Sequence, residues 1–110
     1  MKQAQFHPKA KIDLQEFPEE VRRELGKSIF DLQKGAKLTL PLSRPMPSVG
    51  IGVEELRVKD RNGIYRVFYY TRYAGAVLVF HAFIKKTQKT PQAEIELGKK
   101  RLREMLYEKE

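Results

Sequence analysis

The stretch AVLVFHAFI, Ala76 to Ile84, limits the possible folds more than any other part of the 110-residue chain. Its side chains are apolar or small apart from one histidine, so neither face is polar and the segment suits a central β-strand covered on both sides. Regular alternation puts Val77, Val79, His81 and Phe83 on one face and Leu78, Phe80, Ala82 and Ile84 on the other. His81 then reads as a hydrogen-bonded core or rim histidine rather than a catalyst. The run continues as KKTQKTP, which delivers Lys85, Lys86 and Lys89 to one end of the strand before Pro91.

A central strand needs partners, and two other segments qualify. VEELRVK (Val53 to Lys59) and IYRVFYYTRY (Ile64 to Tyr73) are rich in β-branched and aromatic residues. The turns between the three are DRNG and AG, and Asn62 and Gly63 tolerate the positive φ of tight hairpins, so the runs form an antiparallel meander. Before them, FPEEVRRELGKSIFDLQKG places Phe17, Val21, Leu25, Ile29 and Leu32 on one helical face. Pro18 suits its first position and Gly35 its left-handed C-terminal cap. AKIDLQEF can add a short preceding helical turn, and Met1 to Pro8 is a candidate edge strand. LTLPLSRPMPSVGIG, with three prolines and two glycines, reads as a long connection. After the meander, Thr90 can cap a helix beginning at Pro91, with Ile95, Leu102 and Leu106 on its apolar face. The order describes a small α+β domain, and the length describes one domain over residues 1–110.

Charge is concentrated along this chain. Lys and Arg total 22 against 14 Asp and Glu, for a net +8. Residues 57–72 hold five basic side chains and one acidic, and residues 85–103 hold seven and two. Such local excess favours a polyanion, an acidic partner or an anionic surface, unless it is only a solvated basic face. The chain has no cysteine, so disulfides and thiolate zinc sites are excluded and a reducing, cytoplasmic setting fits. Its longest apolar run is far below the roughly 20 residues that cross a bilayer. No cofactor, metal or membrane is expected.

Strand alternation puts Glu55, Arg57 and Lys59 on one face, and Arg66 with Ile64, Phe68, Tyr70 and Arg72 on a face of the next strand. Arg66 among aromatics can stack on a base or grip a phosphate, or it can pair with Glu55 or Glu54 across the hairpin. Residue types leave both readings open.

FPEEVRRELGKSIFDLQKG, VEELRVKDRNGIYRVFYY and VLVFHAFIKKTQKTP, in that order, resemble the phage-derived Gp49-like branch of the RelE/ParE toxin superfamily, the branch with the HigB toxins. The resemblance runs from about Asp13 into the last helix. It implies a small twisted antiparallel sheet packed by N-terminal helices and a C-terminal helix. It implies the toxin of a type II toxin–antitoxin pair, most often a metal-independent, ribosome-dependent endoribonuclease that cuts mRNA. Its partners would be a helix-turn-helix antitoxin, mRNA and the ribosome.

Carried over residue by residue, the resemblance assigns catalysis to Arg57, Arg66, Lys85 and Lys86. Arg66 and Lys86 would hold the scissile phosphate, while Arg57 and Lys85 would orient adjacent phosphates or join proton transfer. Lys59, Arg61, Arg72, Lys89 and Lys99 are the candidate RNA contacts. The chain departs from RelE- and YoeB-type relatives, which place a tyrosine or histidine a few residues after the last basic position. Here Thr87, Gln88, Lys89, Thr90 and Pro91 follow, so the general base is open, with His81 and Tyr107 as substitutes by residue type. The superfamily also permits a ParE-like toxin that binds DNA gyrase, or a phage-derived module that binds RNA or protein without catalysis.

Overall fold

The computed structural model describes residues 1–85 and 89–107. Lys86, a predicted site residue, lies outside the described residues.

The elements run β1 (Gln3–Phe6), α1 (Pro8–Gln15), α2 (Glu19–Gln33), β2 (Ser43–Pro45), β3 (Val53–Asp60), β4 (Gly63–Tyr70), β5 (Ala76–Lys85) and α3 (Gln92–Tyr107). One five-stranded sheet has the order β1-β5-β4-β3-β2. The expected meander β3-β4-β5 is present and antiparallel. Two strands extend it. The candidate N-terminal strand exists, and it pairs parallel to β5, making the sheet mixed rather than wholly antiparallel. The second addition, β2, pairs antiparallel with β3 from inside the proline-rich connection. With β1 on one side and β4 on the other, β5 is the central strand that its composition predicts.

Each face of the sheet is covered by its own helix. Val21, Leu25, Ile29 and Leu32 of α2 pack on Leu56, Val58, Tyr65, Val67, Tyr69, Val77 and Val79. Ile95 and Leu102 of α3, with Met46 and Val49 from the connection, pack on Val53, Phe68, Leu78, Phe80 and Phe83. The α2 helix starts one residue later than expected, with Pro18 as its N-cap and Glu19 and Glu20 in its first turn, and the chain leaves through Gly35 at φ 97° as the sequence predicts. There the Gly35 amide donates to the Leu32 carbonyl and the Ala36 amide to the Asp31 carbonyl, satisfying the last carbonyls of the helix.

Side-chain parity in β5 differs from regular alternation. His81 pairs with Phe68 and Val79 with Tyr69, so Phe80 has no partner on β4 and forms a β-bulge. Val77, Val79 and Ala82 face α2, whereas Leu78, Phe80 and Phe83 face α3. The extra residue therefore moves His81 and Phe83 to the face opposite Val77 and Val79, and Lys85 follows them. They join the face that carries Arg57 and Arg66, which are directly paired across β3 and β4.

The α3 helix starts at Gln92, one residue later than expected, with the Pro91 carbonyl accepting from the Glu94 and Ile95 amides. It lies so close to the sheet that a Cβ on Gly98 would sit 2.8 Å from the Phe68 ring, whereas Gly26 in α2 has no atom within 4 Å of that position. Gly98→Ala is thus expected to destabilise the protein by about 1–3 kcal/mol through overpacking, despite the better helix propensity of alanine. Gly26→Ala is expected to stabilise it by about 0.5–1 kcal/mol. Urea unfolding of both variants against the parent checks the pair of signs.

Candidate functional site

Four cations converge on one carboxylate on the α3-facing side of the sheet. Glu55 is 0 % exposed, and its Oε1 accepts from Arg66 Nη1 at 2.5 Å and from Arg44 Nε at 3.0 Å. Of the two readings of Arg66, pairing with Glu55 is therefore realised. Arg66 is itself 0 % exposed, and Arg57 stands directly opposite it on β3. Like charges facing each other across strands destabilise a sheet, and Glu55 offsets part of that cost by pairing with Arg66.

Arg44 has no counterpart among the residues predicted from sequence. It lies in β2, and β2 is fixed by its neighbour: the buried Ser43 hydroxyl is 2.6 Å from the Tyr69 hydroxyl, and both are 3.3 Å from Glu54 Oε1. With Ser43 held on the α2 side, alternation turns Arg44 to Glu55 on the other. Three residues inside a proline-rich stretch carry no readable periodicity.

Lys85 ends β5 beside this group. It is 5 % exposed, and its ammonium donates to Thr90 Oγ1 at 3.1 Å. Burial, with Arg66, Arg44 and Arg57 in support and Glu55 opposing, pulls its pKa from 10.5 down to about 8. Thr90, predicted as a helix cap, thus serves as the lysine's acceptor. Burial also lowers the Arg66 pKa, against the attraction of Glu55.

The cluster offers unfilled hydrogen bonds. Arg57 Nε, Arg66 Nε and Nη2 and Glu55 Oε2 are buried without a partner. Guanidinium N–H groups in this state are donors for an anion or ordered water. Two adjoining clefts reach the cluster. One of about 510 Å³ is lined by Lys59, Asp60, Arg61, Asn62, Gly63, Ile64 and Lys85, and another of about 380 Å³ is lined by Pro41, Leu42, Arg57, Lys59 and Ile64 among others. The β3–β4 hairpin between them is held by Asp60 Oδ1, which accepts from the Asn62 amide at 2.7 Å; Gly63, not Asn62, takes the positive φ.

The fold therefore brings Arg57, Arg66 and Lys85 together, with Lys59 and Arg61 exposed on the hairpin at their rim. Lys89 is exposed next to Thr90. Arg72 and Lys99 lie elsewhere. Arg72 follows the opposite end of β4 and borders a cleft with Lys37, Leu38 and Glu54, and Lys99 is exposed on α3 with Glu96 at 3.7 Å. Neither substitute base is free to act here. His81 has both ring nitrogens engaged, by Glu94 at 2.6 Å and Arg101 at 2.9 Å. Tyr107 ends α3, a 16-residue helix about 24 Å long that starts near Lys85. Among the described residues, no group of three or more His, Cys, Asp and Glu side chains could hold a metal, and no helix is long and apolar enough to cross a membrane.

Comparison with known proteins bears on the family and the fold. No curated protein matches the chain. Among solved structures, the isolated E. coli RelE toxin is similar with a TM-score of 0.55 and 19 % identity, over 86 % of this chain and 94 % of that one. The intact E. coli RelBE toxin–antitoxin complex contains a chain similar with a TM-score of 0.50 and 20 % identity, over 81 % of this chain and 100 % of that one. At such identities the likeness is one of fold. The profile of the phage-derived Gp49-like proteins matches residues 12–103, a span that includes all four strands contributing to the cation cluster. The chain belongs to the phage-derived Gp49-like protein family, on a RelE-like α+β fold.

Proposed function

We propose that the protein is the toxin of a type II toxin–antitoxin pair, a ribosome-dependent endoribonuclease that cuts mRNA without a metal. The observation that supports this reading most is the grouping of Arg57, Arg66 and Lys85 around buried Glu55, with unpartnered guanidinium N–H groups. The RelE-like fold and the basic hairpin support it too. A cognate antitoxin, as in the RelBE complex, is the proposed protein partner.

In the proposed reaction the ribose 2′-oxygen loses its proton and attacks the adjacent phosphorus, and the P–O5′ bond breaks. The products are a 2′,3′-cyclic phosphate and a 5′-hydroxyl end, the departing oxygen taking up one proton. Lys85, with its pKa near 8, is neutral in a substantial fraction at physiological pH and serves as proton acceptor. Arg57 reaches the phosphate from the cleft wall, and Lys86 joins it by the sequence correspondence. Arg66 acts from beneath, fixing Glu55 and supplying positive potential where the phosphorane builds negative charge. Lys59, Arg61 and Lys89 hold flanking phosphates.

Induced expression, with mRNA 5′ ends mapped in the presence and absence of the neighbouring gene product, tests the activity. Translation-linked cuts that the neighbour suppresses are expected. Intact mRNA with disturbed DNA supercoiling would instead indicate a gyrase-binding toxin. Arg57→Ala is expected to lower the cleavage rate by about 10²-fold while leaving the thermal midpoint within a few degrees. Unchanged cutting by that variant would remove Arg57 from the site.

Lys85 makes two pH predictions. As a base it works deprotonated, so the cleavage rate should rise with pH through an inflection near 8, and Lys85→Arg should abolish that limb. Folding gives an independent readout. The unfolded lysine stays protonated up to about 10.5 while the folded one releases its proton from about 8, so unfolding takes up a proton in that window. Stability relative to Lys85→Met should therefore increase between about pH 8 and 10.5, and denaturant midpoints that show no such trend would contradict the depressed pKa.

A further inference from the structure

Behind the cation cluster lies a second buried polar group that the proposed chemistry does not use. It runs from α1 through β5 to α3. Asp13 Oδ2 accepts from Arg101 Nη1 at 3.0 Å, the same nitrogen lies 2.9 Å from His81 Nδ1 and 3.5 Å from the Phe80 carbonyl oxygen, and His81 Nε2 lies 2.6 Å from Glu94 Oε1. The imidazole is 2 % exposed and sits against the rings of Phe68 and Phe83.

The chemistry of the partners fixes the proton. A guanidinium only donates, so Nδ1 of His81 accepts from Arg101 and the neutral ring carries its hydrogen on Nε2, aimed at the Glu94 carboxylate. Burial and Arg101 lower the His81 pKa from 6.5 while Glu94 and Asp13 oppose them, so the ring is neutral at physiological pH. A neutral histidine locked in one tautomer by a cation on one side and an anion on the other is a rigid strut.

The strut ends at a particular place. Glu94 lies in the first turn of α3, and its amide donates to the Pro91 carbonyl at 3.0 Å. Thr90 immediately precedes that proline, and its hydroxyl accepts from the Lys85 ammonium. Fastening Glu94 to the sheet therefore fixes Thr90 to within a single helical turn, and Thr90 is part of what closes water off from Lys85.

We propose that His81 is a positioning residue for Lys85, acting through Glu94 and the first turn of α3 to keep Thr90 packed over the lysine. The inference draws its interest from the ribonuclease reading, in which Lys85 moves a proton, but it can be tested without any cleavage. In the full chain, an NMR titration of the Lys85 side chain, assigned with Lys85→Arg, should show a midpoint near 8.

Glu94→Ala should raise that midpoint by about one unit, as water reaches the ammonium and lifts the desolvation penalty. Direction decides the matter, because loss of a negative charge alone would lower the midpoint. Glu94→Gln keeps an acceptor for the Nε2 hydrogen and should not raise it. Glu96→Ala removes the same charge from the next turn of the helix, where Glu96 faces Gln92 and Lys99 rather than His81, and should not raise it either. Should Glu94→Ala fail to fold, Glu94→Asp withdraws the carboxylate by one methylene and should shift the midpoint upward by less. An unmoved or lowered midpoint in the folded variant, or an equal rise in Glu94→Gln, overturns the inference. A chain that titrates as expected but cuts no RNA retains the positioning role and overturns only the ribonuclease reading.

Discussion

The Glu55 carboxylate is the interaction on which the site depends. Arg44, Arg57, Arg66 and Lys85 converge around it, and Arg66 has no solvent contact to offset its burial. Bringing a guanidinium out of water costs several kcal/mol unless a counter-charge and hydrogen bonds replace the hydration. Glu55 supplies that replacement to Arg66 and Arg44 through a single oxygen. Burial first, and then the surplus of positive charge around Glu55, hold Lys85 near a pKa of 8.

The bulge at Phe80 is the backbone counterpart of that carboxylate. In an unbroken strand, Lys85 would share a face with Val77 and Val79 and would end on the α2 side, away from Arg66. One unpaired residue changes this parity for everything after it. The same step brings His81 under α3, where Glu94 and Arg101 bond it, so the base of the cluster and its outer lysine are placed by one irregularity. Gly98 completes the arrangement by letting α3 lie directly against Phe68, which neighbours Arg66's strand position on the same sheet face.

What could be read from the sequence follows from which interactions are local. The α2 helix declares itself through five apolar residues at helical spacing and through Pro18 and Gly35, all within twenty positions. The β3–β4 hairpin does so through Asp60 to Gly63, and the basic residues of β3, β4 and β5 are visible as a charge excess. The parallel pairing of β1 with β5 and the three-residue β2 depend on contacts distant in sequence, so composition signals them poorly or not at all. Arg44 was hidden for the same reason. Residue types do not give the faces of β5, because a bulge carries no residue signature in so apolar a run, and they give Thr90 as a cap because they do not show that its hydroxyl meets the lysine five residues earlier.

The two faces of the sheet differ in what they bury. The α2 face is a continuous apolar core, with the Tyr69 and Ser43 hydroxyls paired at its rim. The α3 face mixes its aromatic core with like charges opposed across strands and with guanidinium nitrogens that have no partner. A buried donor left unpaired costs about 1–3 kcal/mol. Under the proposed reaction that cost falls where an anion or ordered water meets these donors. A phosphate gaining charge would fill them better than one at rest, so the strain retained in the free protein becomes preferential binding of the charged intermediate under the proposed reaction.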